Sequence, residues 1–139
     1  NEITIIKADT ILPVSVTAAV FPGYPTDLQA QWVALMTIAN GDSVVTDTVY
    51  MDRFSHIPEL NRLGAEIKLS ENEAHIIGNK KLVGAQVMST DIRASASLII
   101  GGLLADGTSE ISRVYHIDRG YEKIEKKFRR LGADITRVN

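Results

Sequence analysis

Four short motifs recur in the same order along this chain. TDLQAQ at Thr26 returns as TDIRAS at Thr90, and the Asn40-Gly41 pair returns as Asp106-Gly107. VYMDR, ending at Arg53, returns as VYHIDR, ending at Arg119, and RLGAEI at Arg62 returns as RLGADI at Arg130. The offsets are 64, 66, 66 and 68 residues. Ordered matches with so little drift mark two copies of one supersecondary unit, each unable to bury its apolar face alone.

Each copy reads strand, helix, strand, helix, strand and a further strand. Residues 14–19 are β-branched and apolar and predict a strand. Leu28, Trp32, Leu35, Met36 and Ala39 follow helical spacing. Thr26 is the expected N-cap, with Gln29 completing a capping box, and Asn40-Gly41 the expected stop. Strands are expected over 43–50, 66–70 and 74–77, and a short helix over 58–63 that starts at Pro58. In the second copy, 91–105 is a helix apolar nearly all round, so it must be buried on most sides. A strand over 111–115 follows, then a helix over 120–131 with Tyr121, Ile124, Phe128 and Leu131 on one stripe. A last strand is expected over 133–138. The units implied are the end of one unit at 1–11, a unit at 12–83 and a unit at 84–139, in an α/β fold.

Composition removes whole classes of function. The 139 residues are 45% hydrophobic and 23% charged, with a net charge of -2, which argues against a nucleic-acid or polybasic membrane surface. There is no cysteine, so disulfides and a cysteine nucleophile within this chain are excluded. No apolar run approaches the roughly 18 residues of a membrane span. The start, NEITIIKADT, carries no basic region followed by an apolar stretch, and a cytoplasmic protein is expected.

The three histidines are far apart in sequence and read as structural or solvent-facing, so no metal site is expected. Gly101-Gly102 lies within a helix and reads as a close-packing site rather than a phosphate loop. What remains is acids and arginines at equivalent positions of the two copies. Asp27 and Asp91 open the first helix of each, and Asp52-Arg53 and Asp118-Arg119 stand between a strand and the next helix. Singly, each has a bland reading, as a helix-terminus charge or a surface pair. Together they would gather at one end of an α/β architecture, where ligands bind. Arginine's planar fork suits phosphate and carboxylate, so a ligand carrying both groups is implied.

FPGYPTDLQAQ, DRFSHIPELNRLGA, GAQVMSTDIRASASLIIGGLLADG and VYHIDRGYEKIEKKFRRLGADI closely resemble the C-terminal part of the UDP-N-acetylglucosamine enolpyruvyl transferase family. The match runs from about Leu12 to the end. The resemblance implies domains of three βαβαββ units each, helices inside and sheets outside, an inside-out α/β barrel of which this chain holds two units of one domain. It implies transfer of the enolpyruvyl group of phosphoenolpyruvate to the 3-hydroxyl of UDP-N-acetylglucosamine, the first committed step of peptidoglycan synthesis, with no metal or organic cofactor. A second, N-terminal domain and the general acid would lie outside this chain, leaving it silent alone. The site residues implied are Asp27 as proton acceptor, Asp91 near the reacting centre, Val49 as a backbone contact to the UDP-sugar, and Arg53 and Arg119 as ligands, Arg119 for phosphoenolpyruvate. Met51-Asp52 stands where the family has Glu-Asn, and no role is carried to Met51. The shikimate-pathway enolpyruvyl transferase and a non-catalytic binding relative are the alternatives. With one unit missing, apolar surface and self-association of the isolated chain are expected.

Overall fold

The computed structural model describes residues 2–138; Asn1 and Asn139, the outer ends of the first and last expected units, lie outside the described residues. A first parallel pair is built from β1 (Val16–Ala18) and β2 (Ser43–Asp47), joined through a 3-10 turn (Thr26–Leu28) and α1 (Gln29–Met36). After α2 (Ile57–Arg62), the hairpin β3 (Glu66–Ser70) and β4 (Glu73–Ile77) completes a four-stranded sheet ordered β1-β2-β4-β3, with β4 antiparallel to both neighbours. A second parallel pair, β5 (Gln86–Met88) and β6 (Glu110–Ser112), brackets α3 (Ile92–Leu104). Two short helices follow, α4 (Tyr115–Asp118) and α5 (Ile124–Arg130).

Helices α1 and α3 pack against each other in the interior. The main core joins Val33, Met36, Val45, Leu60, Leu63, Ile76, Val87 and Leu98 across both sheets. A smaller cluster of Ala96, Ile99, Ile117 and Ile124 fixes α4 and α5 on the far side of α3. The apolar circumference of 91–105 thus finds neighbours on both flanks, as its pattern requires. Gly101 is a close-packing site: a Cβ there would lie 2.9 Å from Leu60 Cδ2 and 3.0 Å from Leu63 Cδ1. Leu103, near the end of α3, is exposed. No helix among the described residues is long and apolar enough to cross a membrane.

Four local expectations are corrected. Residues 133–138 form no strand, because among the described residues no strand pairs with them; Arg129 Nε holds the segment by donating to the Ile135 carbonyl at 2.6 Å. The strand expected over 111–115 is Glu110–Ser112, since Arg113 takes a left-handed φ of 57° and Tyr115 already starts α4. Asp118 therefore ends a short helix instead of bridging strand to helix. The helix expected over 120–131 begins only at Ile124, after Lys123 at φ 45°. The strand from Ser43 ends at Asp47 rather than Tyr50, for a reason that belongs to the site.

Candidate active site

Asp47 is a fully buried carboxylate at the end of β2. Its Oδ1 accepts from the backbone N–H groups of Val49 and Tyr50 at 2.9 and 2.8 Å, and this turns the chain out of the sheet. Its Oδ2 accepts from Thr26 Oγ1 at 2.5 Å. That bond dismantles the expected capping box. Thr26 lies inside the 3-10 turn, Pro25 occupies the cap position, and no side chain caps either helical segment there. Thr26 Oγ1 also accepts from Arg53 at 3.0 Å, so one hydroxyl links the buried carboxylate to a half-buried cation.

Arg53 donates onward to Asp27 Oδ1 at 3.2 Å and stacks its guanidinium 3.8 Å from the centre of the Tyr50 ring. Arg93, on the first turn of α3, reaches the same Asp27 oxygen, with Nε at 2.7 Å and a terminal nitrogen at 2.6 Å. The Asp27 side chain is 68% exposed. Its carboxylate is exposed, and two guanidiniums hold its Oδ1.

Asp91 is placed differently. It is the N-cap of α3, with extended backbone, and its Oδ1 accepts from the N–H groups of Arg93 and Ala94 at 2.8 and 3.0 Å. Ser55 Oγ donates to its other oxygen at 2.9 Å. Burial pushes the carboxyl pKa up, but the Ala94, Ser55 and Arg93 hydrogen bonds, with a contribution from His56, hold it below the usual carboxylate value. His56 is itself buried, its Nε2 lacks a partner, and burial lowers its pKa to about 4 against the pull of Asp91.

Val49, Tyr50, Met51, Asp52, Arg53, Ser55, Asp91 and Arg93 line one cleft of about 510 Å³. The cleft thus brings together Val49, Arg53 and Asp91 of the expected site, and Arg53 and Arg93 tie Asp27 to its rim. Arg119 does not line it. It is the exposed C-cap of α4, and the next residue, Gly120, abuts α3, where a Cβ would meet Ile92 Cδ1. Arg119 therefore stands at the same end of α3 as Asp91 and Arg93. No group of three or more His, Cys, Asp or Glu that could hold a metal is found among the described residues. The cleft offers cations for an anionic ligand and a carboxylate for a proton.

Arg93, Asp47 and Ser55 were not singled out from the sequence, and His56 was read as structural or solvent-facing; it is buried. The signal for Arg93 was present: in the repeat it stands where the first copy has Gln29, a fully buried amide. Asp47 was marked only as an acid among the β-branched residues of a strand.

A family model described as EPSP synthase (3-phosphoshikimate 1-carboxyvinyltransferase) matches residues 1–128. A UDP-N-acetylglucosamine 1-carboxyvinyltransferase of Chlorobium chlorochromatii is 60% identical over 137 residues, which is 99% of this chain and 32% of the relative. That of Chloroherpeton thalassium is 61% identical over 137 residues, again 99% and 32%. The chain spans about a third of the length of these curated relatives. Among solved structures, the enolpyruvyl transferase NikO from Streptomyces tendae matches with a TM-score of 0.84 and 28% identity, over 93% of this chain and 30% of its own. EPSP synthase from Acinetobacter baumannii matches with a TM-score of 0.65 and 16% identity, over 96% and 29%, a likeness of fold alone. The α/β fold is that of these transferases.

Proposed function

Because the chain belongs to the EPSP synthase (3-phosphoshikimate 1-carboxyvinyltransferase) family, we propose that it is part of an enzyme moving the enolpyruvyl group of phosphoenolpyruvate to the 3-hydroxyl of UDP-N-acetylglucosamine. One observation carries the choice of acceptor: relatives with that printed activity are 55–61% identical over nearly all of this chain, whereas the EPSP synthase structures are 15–16% identical. The cleft supports it chemically. Phosphoenolpyruvate carries a phosphate and a carboxylate, and Arg53, Arg93 and Arg119 offer forked donors at one end of α3. Asp27 takes the proton of the sugar hydroxyl as its oxygen attacks. Both guanidiniums hold Asp27 through Oδ1, and Oδ2 offers its lone pair to that proton. The Val49 N–H is committed to Asp47, so contact with the UDP-sugar falls to the Val49 carbonyl. Asp91, ionised and anchored to its helix, keeps Arg93 on the rim.

The reaction belongs to peptidoglycan synthesis in a bacterial cytoplasm. The division into 1–11, 12–83 and 84–139, a further N-terminal domain, and self-association of the isolated chain are part of the same reading. Domain closure would assemble the site, so this chain alone would be silent. The deciding assay gives the full-length protein UDP-N-acetylglucosamine or shikimate phosphate with phosphoenolpyruvate and follows phosphate release. Turnover with the nucleotide sugar only is expected. Turnover with shikimate phosphate, or with neither, would replace this reading by the sister activity or by a binding role.

A further inference from the structure

Asp118 and Arg119 are adjacent, and their charges are opposite. A carboxylate adjacent in sequence is a competitor for the Arg119 guanidinium, and an arginine meant for an exogenous anion is weakened by such a neighbour. In this fold Asp118 is otherwise engaged. Arg137 donates to it through both terminal nitrogens, at 2.8 Å to Oδ2 and 2.6 Å to Oδ1, a fork-to-fork pair. The pair holds the Asp118 carboxyl below its usual range. Glu125 on α5 adds a second acid 3.5 Å from Arg137. The segment bearing Arg137 is tied to α5 through Arg129 and the Ile135 carbonyl. Arg119 is exposed and, among the described residues, makes no side-chain ion pair.

We propose that Arg137 is a positioning residue for anion binding: by occupying Asp118 it leaves the fork of Arg119 open to the carboxylate or phosphate of the substrate. The tail over 133–138, which forms no strand, thereby has a task in the chemistry. The backbone around Arg119 is fixed independently, since Gly120 and Tyr121 both donate to the carbonyl of buried Ile117 at 3.1 and 2.9 Å. Arg137 thus governs what competes for Arg119 more than where Arg119 stands. This inference rests on Arg119 being an anion ligand.

The test is steady-state kinetics of the full-length transferase that carries this chain. Arg137→Met is expected to raise KM for phosphoenolpyruvate about tenfold, with KM for the nucleotide sugar unchanged. Adding Asp118→Asn removes the competitor and is expected to bring the phosphoenolpyruvate KM back to within about threefold of the parent. A merely structural clamp predicts the reverse, a double variant no better than the single one, and that result overturns the proposal. So does an Arg137→Met enzyme with unchanged KM. If Arg137→Met does not fold, Asp118→Asn alone decides: an unchanged or lower phosphoenolpyruvate KM supports the inference, and a raised one defeats it. Arg119→Lys separates the two layers. If it leaves phosphoenolpyruvate use intact, the ligand role of Arg119 fails and this inference with it. If it impairs that use while Arg137→Met does not, the inference alone fails.

Discussion

The two Thr-Asp pairs, Thr26-Asp27 and Thr90-Asp91, are identical in sequence and opposite in use. Asp91 turns inward and caps its own helix with two hydrogen bonds. Asp27 turns outward and holds two arginines from distant parts of the chain. Backbone geometry separates them. Asp91 is extended, at φ -157° and ψ 177°, so its carboxylate reaches the free N–H groups of the following turn. Asp27 is already inside a 3-10 turn, with Pro25 before it, and from there its carboxylate does not reach back to those groups. A duplicated unit can thus use one copy of a residue as a helix cap and leave the other without that duty.

The sharpest way to break the comparison is to remove each aspartate from the full-length protein that carries this chain. Asp27→Ala is expected to cut turnover about a hundredfold or more, as for a lost general base, while leaving the urea midpoint nearly unchanged. Near-normal turnover would take Asp27 out of the mechanism.

A pH effect is expected at the Asp91 end, where His56 is buried. Its folded pKa, about 4, lies below the ordinary 6.5, so between those values the unfolded chain binds a proton that the folded one refuses. Stability is therefore complete above that window and falls as pH drops through it. Between pH 7 and pH 5 the loss is expected to be about 2 kcal/mol, read as urea midpoints. His56→Phe should flatten that slope; an unchanged slope would place its origin elsewhere.

Arg119→Lys sharpens the chemical side of the contrast. It is expected to raise KM for phosphoenolpyruvate about tenfold and to spare the UDP-sugar, because an ammonium cannot present two parallel donors. Equal effects on both substrates would point to a general loss of structure. The smallest expected effect is the stability cost of Asp91→Ala, about 1 kcal/mol for a lost N-cap. Asp91→Asn, which keeps an acceptor, should recover most of it. If Asp27→Ala destabilised the protein as much as Asp91→Ala, the division of labour between the two copies would not hold.

Much of this protein is determined by sequence alone. The repeat, the helix apolar nearly all round, Pro58 at the start of α2 and the Asp106-Gly107 stop are local signals, carried by periodicity and by backbone chemistry that needs no partner, whereas α1 ends at Met36, four residues before the expected stop at Asn40-Gly41. Asp27, Val49, Arg53, Asp91 and Arg119 were marked as candidates because acids, arginines and a family resemblance coincide there. Tertiary structure decided the rest. Thr26 looked like a cap until Asp47, 21 residues on, claimed its hydroxyl. The 133–138 segment has the composition of a strand, but a strand exists only where another chain segment offers its hydrogen bonds, and among the described residues none does. Arg93 and Asp27 are 66 residues apart, and only the packing of α1 on α3 makes them an ion pair. Local signals fix which groups a segment can satisfy by itself. Which of the remaining groups meet is set by long-range packing, and the charged cleft is made almost wholly of those.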